Sequence, residues 1–136
     1  MKALIIEDDQ KTLEDISLAL QIGWSKVRLV STRLGEEGIE LAEKESPDVV
    51  ILDLGLPDMS GFEVLKRVRS CSEVPVILLS SIRGDEAEIV KALELGANEY
   101  IVKPFGQMEF LARVRRLIRT KEATPMKQRR SGKTEK

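Results

Sequence analysis

Five polar residues stand where short apolar runs end: Glu7 and Asp8 after residues 3–6, Asp53 after 49–52, Ser80 after 74–79 and Lys103 after 100–102. If those runs are strands of one parallel sheet, their carboxyl ends share an edge, and residues far apart in sequence meet in one crevice. Three carboxylates brought together there repel one another and raise each other's pKa unless a cation sits among them. The chain has no histidine and a single cysteine, Cys71, so its ligands are oxygens. Oxygen ligands select a hard ion, and magnesium accepts a few carboxylates plus waters. Asp8 and Asp53 are the expected direct ligands. With Lys103 adding fixed positive charge and Ser80 a hydroxyl donor, such a site can hold a small tetrahedral dianion over a carboxylate oxygen. Asp53 would then attack phosphorus to give an acyl phosphate, while the ion and Lys103 neutralise the equatorial oxygens. Singly, these residues have plainer roles: Asp53 can cap a turn before Pro57, Glu7, Asp8 and Asp9 can cap a helix, and Lys103 can be a surface lysine. Their joint occurrence at four strand ends favours the chemical reading.

The elements that must position them are visible in the apolar pattern. Apolar runs and helix-period segments alternate five times, as in a parallel sheet covered by helices on both faces. Strands are expected at residues 3–6, 27–30, 49–52, 74–79 and 100–102. Val49-Val50-Ile51-Leu52 and Val76-Ile77-Leu78-Leu79 do not alternate with polar residues and read as central strands. Amphipathic stretches between the strands carry Leu13, Ile16 and Leu20, then Leu34, Ile39 and Leu41, then Phe62, Leu65 and Val68. A fourth carries Ile89 and Leu93 with Gly96 as a stop, and a fifth carries Phe110, Leu111, Val114, Leu117 and Ile118. Each is expected to cover a sheet face. Pro47, Pro57 and Gly61 mark turns, the methionines are expected in the core, and Trp24 in a half-buried loop.

With 136 residues, 42% of them hydrophobic and 33% charged, the chain suits one globular domain. A lone cysteine excludes an intramolecular disulfide, the apolar runs are of strand length, and Glu7-Asp8-Asp9 follows Met1-Lys2 too closely for a signal peptide. A cytoplasmic location and no membrane contact are expected. The net charge of −1 hides an asymmetry, because residues 120–136 carry Lys121, Lys127, Arg129, Arg130, Lys133 and Lys136 against Glu122 and Glu135. With no large apolar residue after Met126, this stretch reads as a solvated linker, not a nucleic-acid contact. The expected organisation is a folded domain over 1–120 and a basic flexible tail or linker over 121–136.

The motifs Ile6-Glu7-Asp8-Asp9, Leu52-Asp53-Leu54-Gly55-Leu56-Pro57 with Gly61, Pro75-Val76-Ile77-Leu78-Leu79-Ser80-Ser81 and Lys103-Pro104-Phe105 together resemble the response-regulator receiver family, over about residues 1–120. The resemblance implies an α/β fold: a single five-stranded parallel sheet, strand order 2-1-3-4-5, with five helices on both faces, the flavodoxin-like doubly wound arrangement. It implies that Asp8 ligates magnesium directly, Glu7 through water, and the Gly55 carbonyl as a further ligand, with Asp9 a neighbour only. Asp53 corresponds to the phosphoacceptor, Lys103 to the lysine on the phosphoryl group, and Ser80 to the switch hydroxyl. Tyr100 corresponds to the aromatic that swings inward when that hydroxyl moves, and Pro104 follows a peptide bond that is cis in the family. The implied partners are a sensor histidine kinase, a phosphorylation-dependent second copy, and a downstream protein or fused DNA-binding domain. Direct nucleic-acid binding by this chain is not expected.

The fifth amphipathic stretch, Phe110-Leu111-Ala112-Arg113-Val114-Arg115-Arg116, is similar to that of receivers joined to winged-helix domains. Glu99 and Arg113 match one charge pair of their dimer face, whereas Ile89 stands where a basic residue is usual. Gly55, two after Asp53, and Ile82, two after Ser80, cannot orient a hydrolytic water, which implies slow self-dephosphorylation. A magnesium-dependent phosphatase with an Asp nucleophile is the alternative, but its usual acid, a second Asp two residues on, is replaced by Gly55. A flavin site would need a phosphate-cradling loop after the first strand, where Glu7-Asp8-Asp9 repels phosphate.

Overall fold

Alternate residues of each central strand face opposite sides of the sheet, and both sides are apolar here, so the sheet is buried between two helical layers. The computed structural model describes residues 1–81 and 86–127, with 121–127 described by backbone alone. Along it run β1 (Lys2–Ile6), α1 (Gln10–Gly23), β2 (Arg28–Thr32), α2 (Gly35–Glu45), β3 (Val49–Asp53) and α3 (Gly61–Arg69). There follow β4 (Val76–Ser80), α4 (Glu86–Glu94), β5 (Glu99–Val102) and α5 (Gln107–Lys127). The five strands are parallel in the order β2-β1-β3-β4-β5, as expected. Leu4, Ile6, Val50, Leu52 and Leu78 pack with Val64, Leu65 and Val68 of α3 on one side. Ile5, Ile51, Ile77 and Leu79 pack with Ile16 and Leu20 of α1 and Phe110 and Val114 of α5 on the other. No described helix is long and apolar enough to cross a membrane.

Two strand boundaries differ from expectation for local reasons. β4 begins at Val76, because the Val74 N–H is taken by the Ser72 hydroxyl at 3.1 Å and Pro75 has no N–H to offer. β2 slides toward its carboxyl end, pairing Lys2 with Arg28 through Ile6 with Thr32; its polar Ser31 and Thr32 disguised an edge strand as loop. The fifth helix continues past residue 120 to Lys127.

The expected apolar face of α4 is corrected. Ile89 and Leu93 are 36% and 52% exposed, and Ala92 is the buried residue of this helix. Glu88, Ala92 and Leu95 fall on one helical stripe, and that stripe faces inward. Leu34 is likewise exposed: it is the N-cap of α2 and not part of its apolar stripe. Met108, at 63% exposure, is not in the core, although Met1 and Met59 pack against it.

Helix ends near the carboxyl edge are held by side chains from the loops. Asp9 caps α1, accepting from the Thr12 N–H at 2.9 Å and the Thr12 hydroxyl at 2.7 Å. Leu34 offers α2 no side-chain acceptor, and Asp58, from the loop after β3, supplies one to the Gly35 and Glu36 N–H groups at 2.8 and 3.1 Å. These bonds, the one from Gly35 first, hold the Asp58 carboxyl below the usual carboxylate range. A folded-state pKa below the unfolded value gives stability that is complete above about pH 4 and is lost as pH falls through the folded value. Asp58→Ala is therefore expected to lower the urea midpoint at neutral pH, with the gap to wild type narrowing below about pH 4. A gap that stays constant with pH would show that the charge of Asp58 contributes nothing to the cap.

Candidate functional site

The chain leaves β1, β3 and β5 still held by a backbone hydrogen bond at the first residue beyond each strand. The Glu7 N–H donates to the Thr32 carbonyl at 3.0 Å, the Leu54 N–H to Leu79 at 2.9 Å, and the Lys103 N–H to Ser80 at 2.8 Å. Asp53 is the last residue of β3, and the backbone behind it is closed by Gly61, where a Cβ would stand 2.5 Å from the Asp53 carbonyl oxygen. The Lys103–Pro104 peptide is cis, as expected. Ser80 is buried at the end of β4.

Lys103 joins the carboxylates. Its Nζ lies 3.0 Å from Glu7 Oε1 and 3.2 Å from Asp53 Oδ1, and donates to Glu7 Oε2 at 3.2 Å. All three groups are enclosed, with Glu7 1% and Asp53 5% exposed and the lysine side chain 14%. Burial pushes the Glu7 carboxyl above its usual pKa; Asp53 adds to the rise, against the Asp9 N–H and Lys103. Burial pulls the Lys103 ammonium down, but its bond to Glu7 and the charges of Glu7 and Asp53 outweigh that and leave it above the usual lysine value.

The expected gathering of three carboxylates is met by two. Asp8 is half-exposed and pairs with Arg33, whose Nε donates to Asp8 Oδ1 at 3.1 Å. Among the described residues no group of three or more His, Cys, Asp or Glu side chains is close enough to hold a metal. The donor set nevertheless fits magnesium, which needs one or two carboxylates and fills its octahedron with carbonyls and waters. Glu7 Oε1 is buried and receives no hydrogen bond, its approach to Lys103 being an ion pair without hydrogen-bond geometry. The backbone of Gly55 runs alongside Asp53, since a Cβ there would stand 3.9 Å from Asp53 Oδ2.

Tyr100 is half-buried on β5 against the core, and its hydroxyl donates to the Glu88 carboxylate in the first turn of α4. Glu99 pairs with Arg113 at 2.6 Å and also with Arg116, and Arg113 reaches Glu109 at 2.9 Å. Sequence reasoning matched Glu99 and Arg113 to a charge pair of a dimer face, whereas here they pair within one chain, and it missed Glu88 and Arg33. Glu88 had a signal in its place on the stripe with Ala92; Arg33, an exposed residue after an edge strand, had none. Ile82 lies outside the described residues. A cavity of about 720 Å³ beside Pro47, Pro75 and Asn98, which precede β3, β4 and β5, holds none of these groups.

A model of the response regulator receiver domain matches residues 3–115. The chain is 44% identical over 120 residues to the transcriptional regulatory protein KdpE of Mycobacterium tuberculosis, covering 88% of this chain and 52% of that protein. It is 41% identical over 120 residues to the cell cycle response regulator CtrA of Brucella ovis, covering 88% and 50%. The chain thus spans about half the length of the curated relatives it matches. The solved structure of DrrB from Thermotoga maritima, an OmpR/PhoB homologue, superposes with a TM-score of 0.77 at 34% identity, over 88% of this chain and 53% of that one. With the sheet order, the lysine-bridged carboxylates and this match across most of its length, the chain belongs to the response-regulator receiver domain family.

Proposed function

We propose that Asp53 accepts a phosphoryl group from a sensor histidine kinase or a small phosphodonor, and that this receiver relays the event as a conformational change. The observation that carries the reading is Lys103 seated between Glu7 and Asp53 at the carboxyl edge of the sheet. Its hold on Asp53 Oδ1 fixes the carboxylate with Oδ2 beside Gly55. An oxygen of Asp53 forms the new bond to phosphorus as the bond from phosphorus to the donor's nitrogen or oxygen breaks, the electron pair leaving with the donor. Asp8, Asp53 and the Gly55 carbonyl, with Glu7 through water, would hold magnesium, which supplies charge neutralisation for the transferring group. Lys103 neutralises a further oxygen, and Ser80 can donate its hydroxyl to another.

The new dianion favours the arrangement in which Ser80 and Lys103 both face it, a population shift between two existing states. Tyr100 carries the shift to α4, which Ala92 and the Tyr100–Glu88 bond hold with little other burial. Output is transcriptional control through a DNA-binding region or protein partner, in the cytoplasm; the chain itself contacts neither nucleic acid nor membrane. Apart from promoting its own phosphorylation and dephosphorylation it turns over no substrate. Gly55 and Ile82 leave the acyl phosphate long-lived.

Incubation with acetyl phosphate and magnesium is expected to add one phosphoryl mass, mapped by peptide digestion to Asp53 and absent with EDTA or in Asp53→Asn. An unmodified wild-type protein that is folded and binds magnesium would contradict the reading. The charges of Glu99, Arg113 and Arg116 are satisfied within one chain, and phosphorylation is proposed to exchange them between two copies. Sedimentation is expected to show a monomer alone and a dimer with beryllofluoride and magnesium, which Arg113→Ala weakens by about fivefold for each ion pair lost. A monomer under both conditions would remove dimerisation from the account.

A further inference from the structure

Each acid of the site has a cation beside it: Lys103 between Glu7 and Asp53, and Arg33 on Asp8. The two cations differ in kind. Lys103 is enclosed and bound to the machinery, whereas the Arg33 side chain is 72% exposed. Both hydrogen bonds of the Arg33 guanidinium go to Asp8, from Nε to the carboxylate at 3.1 Å and from a terminal nitrogen to the Asp8 carbonyl at 3.5 Å.

We propose that Arg33 is a built-in competitor for magnesium, holding the Asp8 carboxylate in the ion-free protein and released from it when the ion binds. The inference rests on the reading of Asp8 as a magnesium ligand. A magnesium–oxygen bond is about 2.1 Å long, and a guanidinium on the same carboxylate oxygen would face a dicationic centre at close range. Ion and guanidinium therefore compete for the charge of one carboxylate, and the observed magnesium affinity is lowered by the coupling free energy between them.

The backbone makes Arg33 a fixed competitor. It follows Thr32, whose carbonyl accepts the Glu7 N–H, and precedes Leu34 and Gly35, whose N–H groups are held by the Thr32 hydroxyl at 3.2 Å and by Asp58 at 2.8 Å. Its Cα is thus tied to the same edge that carries Glu7 and Asp8, and only the side chain has freedom. An open cavity of about 450 Å³ bordered by Asp8, Arg33, Leu34 and Pro57 gives the guanidinium room to withdraw. Arg33 thereby sets the magnesium concentration at which the receiver becomes competent for phosphoryl transfer, without being part of the transfer.

The test is calorimetric titration of magnesium chloride into wild type, Arg33→Ala and Arg33→Lys, and into Asp8→Asn with and without Arg33→Ala, at constant ionic strength. Arg33→Ala is expected to bind magnesium about two- to fivefold more tightly than wild type, the range set by an exposed ion pair, with Arg33→Lys between them. In the Asp8→Asn background the substitution is expected to leave affinity unchanged, which isolates the coupling between the two residues. Equal or weaker binding by Arg33→Ala, with wild type binding normally, overturns the competitor role and leaves the phosphoacceptor reading standing. A wild-type protein that binds no magnesium overturns both, and an equal gain in the Asp8→Asn background shows a general charge effect and also overturns the proposal.

Discussion

An ammonium group in a nearly closed crevice, shared by two buried carboxylates, is the constraint on which the site depends. Glu7 is buried beside Asp53 and needs a cation to stay ionised, because desolvation and the Asp53 charge both push its carboxyl up. Lys103 answers that demand from a third strand. To deliver it, the β1, β3, β4 and β5 ends must be level, which the register of Ile6 with Leu52, Asp53 with Leu79 and Ser80 with Val102 provides. The apolar layers on either side make that register costly to slip, since a one-residue shift would exchange the side chains packed against the two helical layers.

The same edge is joined to a helix that is weakly held. α4 buries Ala92 and turns Ile89, Val90 and Leu93 outward, while the Tyr100 hydroxyl donates to Glu88 in its first turn and Lys91 lies over the Phe62 ring. Its far end is firmer: the Arg69 guanidinium donates to the Gly96 carbonyl at 3.0 Å and to Asn98 at 2.9 Å, beside a glycine with φ of 103°.

How much of this was legible in the sequence depended on whether a residue's role followed from strand position or from side-chain geometry. The places of Asp53, Ser80 and Lys103 at the carboxyl edge of the sheet were legible because each ends an uninterrupted apolar run. The cis bond before Pro104 and the place of Tyr100 came from family resemblance, not from the residues alone. Asp8 was placed in the right loop, but its pairing with Arg33 is a tertiary contact across 25 positions that no local pattern encodes. The face of α4 was misjudged because Ile89 and Leu93 are more apolar than Ala92; the helix turned its small residue inward beside Glu88. Boundary errors at β2 and β4 trace to Ser31 and Thr32 at an exposed edge and to the missing N–H of Pro75.

Urea unfolding of Lys103→Met beside wild type, in EDTA and in saturating magnesium, tests most directly whether this cation balances the site. Removing one partner of a buried charge set leaves the others uncompensated, a loss of about 3 kcal/mol. The account predicts a loss of that order in EDTA, and a larger gain from magnesium in the variant than in wild type, because the ion takes over the neutralisation of Glu7 and Asp53. A variant as stable as wild type in EDTA, or one indifferent to magnesium, would contradict it.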